Sequence, residues 1–257
     1  MKIFESISAY REWRKSLPKD QTVGFVPTMG ALHDGHASLL RASKKENTLT
    51  VLSIFVNPTQ FNQKEDFEKY PKTWEQDLQI AEQAGVDVIL SPANPSELYP
   101  DEYKYQITEK EFSKELCGEF RPGHFDGVLS VVMKLFQVVK PARAYFGEKD
   151  FQQLSLIQGM ADAYFLDVEV VPCPTMREDS GLAMSSRNLR LTPEEKELAP
   201  KLYQVMTSAE DLDDAKSVLN RLGFEVEYLV DKKTPFGMRR FVAAWLGKVR
   251  LIDNVKR

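Results

Sequence analysis

The sequence predicts an α/β fold in which a parallel sheet covered by helices is followed by a smaller α+β domain. Two observations carry this expectation. Short apolar runs alternate with helix-length amphipathic segments through the first two thirds of the 257 residues, and strands separated by single helices pair in parallel, with helices on both faces. After about residue 176 a charged helical stretch precedes short strands at hairpin spacing. Residues 1–175 therefore read as a Rossmann-like domain, and residues 176–257 as a small C-terminal lid domain with an antiparallel hairpin.

Each element has its own signal. Residues 22–27 are a buried apolar run and 37–46 (ASLLRASKKE) an amphipathic helix; residues 49–57 are a second strand, rich in Val, Leu and Ile. A helix over 74–84 is stopped by Gly85, and 87–91 make a third strand. Residues 128–139 (VLSVVMKLFQVV) suit a mostly buried helix that Pro141 ends; 142–146 and 167–171 are strands enclosing a helix over 151–164. The segment 193–222 reads as helical. It begins with Thr192 as N-cap, Pro193 at the first helical position and Glu194 and Glu195 in the first turn. Residues 224–230 alternate like a strand, while 241–246 and 249–252 flank Gly247-Lys248, a two-residue hairpin spacing.

Composition narrows the function. With 34 Lys+Arg against 38 Asp+Glu, the net charge of −4 argues against nucleic-acid binding through a basic surface. The two cysteines, Cys117 and Cys173, form no disulfide framework and lack the paired spacing of a zinc site. No apolar run is long enough for a signal peptide or a membrane span, so a cytoplasmic enzyme is expected.

The segment Pro27-Thr28-Met29-Gly30-Ala31-Leu32-His33-Asp34-Gly35-His36 joins the first strand to its helix, at the carboxyl edge where parallel sheets bind ligands. Two histidines beside helix N-terminal amides suit a nucleoside triphosphate, with imidazoles donating as charge builds on phosphate oxygens. Gly30 and Gly35 are five apart as in a P-loop, but His36-Ala37 stands where Lys-Ser/Thr is required, so that reading fails. A metal reading that adds Asp34 or a cysteine lacks a third nearby ligand. Gln60, in Asn57-Pro58-Thr59-Gln60-Phe61 after the second strand, can both donate to and accept from a polar substrate. Arg121-Pro122-Gly123-His124-Phe125 reads as a rigid turn. In Gly147-Glu148-Lys149-Asp150, at another strand-to-helix junction, Lys149 offers charge to phosphate and Asp150 an acceptor for a ribose hydroxyl. Met184-Ser185-Ser186-Arg187 suits a loop closing on phosphates.

Taken in order, PTMGALHDGH, FVNPTQF, Tyr70-Pro71, RPGHF, YFGEKDFQQL and GLAMSSRN make the chain similar to the pantoate–β-alanine ligase (pantothenate synthetase) family of the His-x-Gly-His nucleotidyltransferases; EVEYL and RLIDN continue the likeness more weakly. The resemblance implies a cytoplasmic homodimer that uses ATP and Mg2+ to join pantoate and β-alanine through a pantoyl adenylate, binding neither nucleic acid nor membrane. It implies catalytic roles for His33, His36, Lys149 and Arg187, with His36 the proton donor to the leaving group. Nucleotide contacts fall on Met29, Gly30, Ala31, Leu32, His33, Asp34, Gly35, His36, Gly147, Glu148, Lys149, Asp150, Met176, Met184, Ser185, Ser186 and Arg187. Gln60 and Gln153 take pantoate, Gln60 also β-alanine, and Asp77 magnesium. Arg121 and His124 fall in a substrate wall or a dimer contact. Thr59 replaces a frequent methionine, and the segment between 193 and 224 is expected to be shorter than the family's C-terminal domain. Two other readings use the same residues: a nucleotidylyltransferase that keeps AMP on its product, and a regulatory nucleotide-binding module without catalysis. The intact His33, His36, Lys149 and Arg187 argue against the latter.

Overall fold

The computed structural model describes residues 1–62 and 67–257. The chain divides into two compact units, Met1–Glu148 with Gln152–Cys173, and Lys149–Phe151 with Pro174–Arg257.

In the first unit six strands form one sheet, β1 (Lys2–Phe4), β2 (Val23–Thr28), β3 (Leu49–Ile54), β4 (Val88–Leu90), β5 (Arg143–Gly147) and β6 (Glu169–Cys173), in the order β1-β4-β3-β2-β5-β6. Every neighbouring pair is parallel, as the alternation of strands and helices requires. The chain winds from β2 outward through β3 to β4 and then returns to the other side of β2 with β5 and β6. The order therefore reverses between β2 and β5, and loops leaving their carboxyl ends open onto a crevice. Val26, Leu40, Leu52, Ile89 and Tyr145, each fully buried, centre one apolar core between sheet and helices.

The strand β1 escapes a sequence reading because three residues are too few to show a period; its pairing with β4 settles it. The expected strand over 49–57 ends at Ile54, since Pro58–Gln60 forms a 3-10 turn. The helix expected from 37 begins at Asp34, and the one expected from 128 begins at His124. The last strand lies two residues beyond 167–171.

The second unit holds an antiparallel sheet of β7 (Phe224–Thr234), β8 (Gly237–Leu246) and β9 (Val249–Lys256), with the anticipated hairpin at Gly247-Lys248. Leu202, Met206, Leu219, Leu229 and Val242 make its core. The single charged helical stretch anticipated over 193–222 is instead three helices, Pro193–Leu198, Pro200–Ser208 and Leu212–Arg221. Pro200 has no N–H to continue the first, and Asp211 caps the third through the amides of Asp213 and Asp214. The Thr192 cap forms as anticipated, Thr192 Oγ1 accepting from Glu195 N and Glu195 Oε2 from Thr192 N. Among the described residues no helix is long and apolar enough to cross a membrane.

Candidate active site

Hydrogen bonds fix the segment after β2 that carries the two histidines. Thr28 Oγ1 donates to Ser53 O and accepts from Gly30 N, fixing the strand exit. Gly30 has φ of 81°, and a Cβ there would lie 2.9 Å from Asp77 Oδ2, so this position excludes other residues twice over. Asp77, 2% exposed on the helix Trp74–Gln83, takes three hydrogen bonds: Leu32 N at 2.8 Å and Thr73 Oγ1 at 3.0 Å on Oδ1, Ala31 N at 3.0 Å on Oδ2. It therefore anchors the loop and does not fit a magnesium ligand. Among the described residues no group of three or more His, Cys, Asp and Glu is placed to hold a metal ion. Ala31 and Leu32, expected at the nucleotide, give their N–H groups to this carboxylate.

His33 caps the helix Asp34–Glu46 in place of the usual Ser or Asp. Its Nδ1 accepts from Gly35 N at 3.1 Å, and His36 Nδ1 accepts from His33 N at 3.3 Å, the rings lying 4.1 Å apart. An Nδ1 that accepts cannot carry a proton, so the N–H of each neutral ring is at Nε2. The arrangement presents two imidazole donors at a positive helix end, with Asp34 exposed beside them and Met29 and Gly35 half-buried.

Gln60 lies on the 3-10 turn that follows β3. Asn57, 1% exposed, ties this turn down by donating to Gly127 O and accepting from Thr59 and Tyr99. Gly127 admits the contact because a Cβ would meet Thr59 O at 2.4 Å. Arg121 Nη2 and His124 Nδ1 both donate to Gln60 O, at 3.0 and 2.8 Å, and His124 Nε2 accepts from Arg121 Nη1. The turn at 121–124, read in sequence as a wall or dimer element, thus holds the backbone of Gln60. Among the described residues the Gln60 side-chain amide takes no hydrogen bond. Of the two adjacent glutamines Gln152 and Gln153, the first is structural, bonding Cys117 N, Phe112 O and Glu115 O while 5% exposed. Gln153 is half-buried. Burial first, then the charges of Glu46 and Glu148, push the Cys173 thiol up to about 11, so it is no nucleophile.

The second unit gathers the remaining candidates except Gly147 and Glu148, which end β5 and begin the turn after it. Lys149 pairs with Asp150 at 3.6 Å. Met184 N donates to Met176 O, bringing those two methionines together. Ser185 Oγ accepts from Arg187 N and caps the 3-10 turn Ser186–Arg190.

With these groups placed, relatives become informative. The Pantoate-beta-alanine ligase family model matches residues 2–256. The chain belongs to the pantoate–β-alanine ligase family. It is 57% identical over 254 residues to the pantothenate synthetase of Bdellovibrio bacteriovorus, covering 99% of this chain and 98% of that one. Among solved structures, the pantoate-beta-alanine ligase of Francisella tularensis, complexed with beta-gamma ATP and beta-alanine, superposes with a TM-score of 0.94 at 43% identity, covering 100% of this chain and 97% of that one. A Thermus thermophilus pantothenate synthetase gives 0.91 at 38% identity, covering 100% and 99%. The chain spans 97–99% of the length of these family members.

Proposed function

We propose that this chain condenses pantoate with β-alanine at the expense of ATP, through a pantoyl adenylate, to yield pantothenate, AMP and pyrophosphate for coenzyme A synthesis. The observation that carries the reading is the histidine pair at a switch-point helix end, His33 capping the helix through Nδ1 and His36 Nδ1 bonded to His33 N. The pantoate carboxylate attacks the α-phosphorus, and the bond to pyrophosphate breaks. His33 and His36 donate hydrogen bonds to the phosphate oxygens that gain charge. His36, whose Nδ1 accepts from His33 N, donates through its other ring nitrogen to the leaving pyrophosphate. Met29 and Gly30 line the nucleotide, Gly147 and Asp150 meet the ribose, and Met176 and Met184 flank the base. Lys149, Ser185, Ser186 and Arg187 hold the β- and γ-phosphates. Gln60 and Gln153 orient pantoate. The β-alanine amine then attacks the acyl carbon near Gln60, and AMP leaves. ATP is expected as its magnesium complex, the ion neutralising phosphate charge.

Supplying ATP, pantoate and β-alanine should give equal amounts of AMP and pantothenate, with pantoate-dependent exchange of labelled pyrophosphate into ATP when β-alanine is absent. AMP retained in a phosphodiester product would establish the transferase alternative instead. A homodimer in the cytoplasm accompanies this reading; sedimentation at one chain's mass would refute the dimer.

A further inference from the structure

The weak C-terminal motif Arg250-Leu251-Ile252-Asp253-Asn254 lies on β9, and the reaction above gives it no role. Two of its polar side chains are nevertheless buried, Asp253 and Asn254 each 4% exposed. Successive residues of a strand point to opposite faces, and here each face grips a different segment of the second unit.

Asp253 takes both ends of the Arg177 guanidinium, Nη1 on Oδ2 at 2.5 Å and Nη2 on Oδ1 at 2.9 Å. Arg177 also donates to Gly181 O and stacks 3.8 Å from the centre of the Tyr203 ring. It pairs with Ala183 across an antiparallel bridge, and Ala183 O accepts from Asn188 Nδ2. The chain of contacts therefore runs from Asp253 to both ends of the turn bearing Ser185, Ser186 and Arg187. On the other face, Asn254 Nδ2 donates to Lys149 O at 2.9 Å, while its Oδ1 accepts from Arg239, which stacks 3.8 Å from the Phe151 ring. Phe241, paired across the sheet with Asn254, also packs on Phe151. Thus residues 149–151 are bound to the C-terminal sheet through backbone and ring.

We propose that Asp253 and Asn254 are positioning residues that set the two cationic segments, Ser185–Ser186–Arg187 and Lys149, for the β- and γ-phosphates of a nucleoside triphosphate. This rests on the ligase reading above. Neither side chain touches the nucleotide; each fixes a backbone whose side chains do. Because pyrophosphate has gone once the adenylate exists, the pair matters to the first half-reaction and not to the second.

The test uses the full enzyme with Asn254→Asp, which sets a carboxylate against Lys149 O, and Asp253→Asn, which weakens the guanidinium fork. Arg177→Lys approaches the same link from the other side, keeping charge but losing fork and stacking. Pantoate-dependent pyrophosphate exchange should fall about ten- to hundredfold, as displacements near 1 Å do. Conversion of supplied pantoyl adenylate by β-alanine should stay within about twofold of wild type, since no step there uses pyrophosphate. Equal loss in both half-reactions, or no loss in exchange, overturns the inference. Wild-type enzyme without exchange overturns the ligase reading, and this inference with it.

Discussion

Replacing Asp77 by asparagine separates a loop anchor from a magnesium ligand. In the native site two donors converge on Oδ1 and one on Oδ2. An amide of the same shape keeps Leu32 N and Thr73 Oγ1 on its oxygen but turns an NH2 toward Ala31 N–H. One buried amide then loses its acceptor, which costs about 2 kcal/mol. For a chain of this size that lowers the melting temperature by roughly 4–8 °C. Asp77→Ala, which orphans both amides, costs about 2–6 kcal/mol. Differential scanning calorimetry reads the shift, and pyrophosphate exchange measured across a magnesium series reads the chemistry. The anchor reading expects a lower melting temperature and a loss of exchange that added magnesium does not restore. An Asp77→Asn variant that melts like wild type and recovers full exchange as magnesium rises would refute it.

His36→Ala should reduce pyrophosphate exchange about 10²–10³-fold, the usual cost of one preorganised donor. Its melting temperature should fall by only about 2–4 °C, since a helix-cap bond is lost; near-native exchange would remove His36 from the site. Gln60→Ala should raise the KM for pantoate about tenfold with the KM for ATP little changed, because the amide is lost while Arg121 and His124 still hold the backbone. Equal rises in both would contradict the pocket. Arg240 is 1% exposed and held by Asp231, Met206 O and Ala209 O. Asp231→Ala should therefore cost roughly 2–3 kcal/mol, less than a fully buried pair because two carbonyls still hold the guanidinium. The Arg240 hydrogen bond lowers the Asp231 pKa. That stabilisation is complete above the unfolded carboxyl value of about 3.9 and fades as pH falls through the folded value. Thermal melts from pH 6 down to pH 2 should show a steeper acid loss in wild type than in Asp231→Ala, and parallel curves would count against the pairing.

Local signals were enough for much of this architecture. Alternating apolar strands and amphipathic helices require crossovers and so a parallel sheet, while Thr192, Pro193 and Glu195 announce a helix start through bonds confined to four residues. The histidine segment was legible for the same reason, since a loop between a strand and a helix occupies a known edge of such a sheet. What escaped depends on partners far apart in the chain. Gln60 shows as a candidate, but the guanidinium and imidazole that hold its carbonyl come from 61 and 64 residues away. Asp77 is a metal acid only by resemblance, and amides 45 and 46 residues upstream lie on it in the fold. Gln152 and Gln153 are chemically identical in sequence, and burial alone separates the clamp from the candidate. The order β1-β4-β3-β2-β5-β6, and with it the crevice at β2, follows from packing three-dimensional neighbours. Residue identity states which bonds a side chain is able to make; long-range closure of the chain selects which of them it makes.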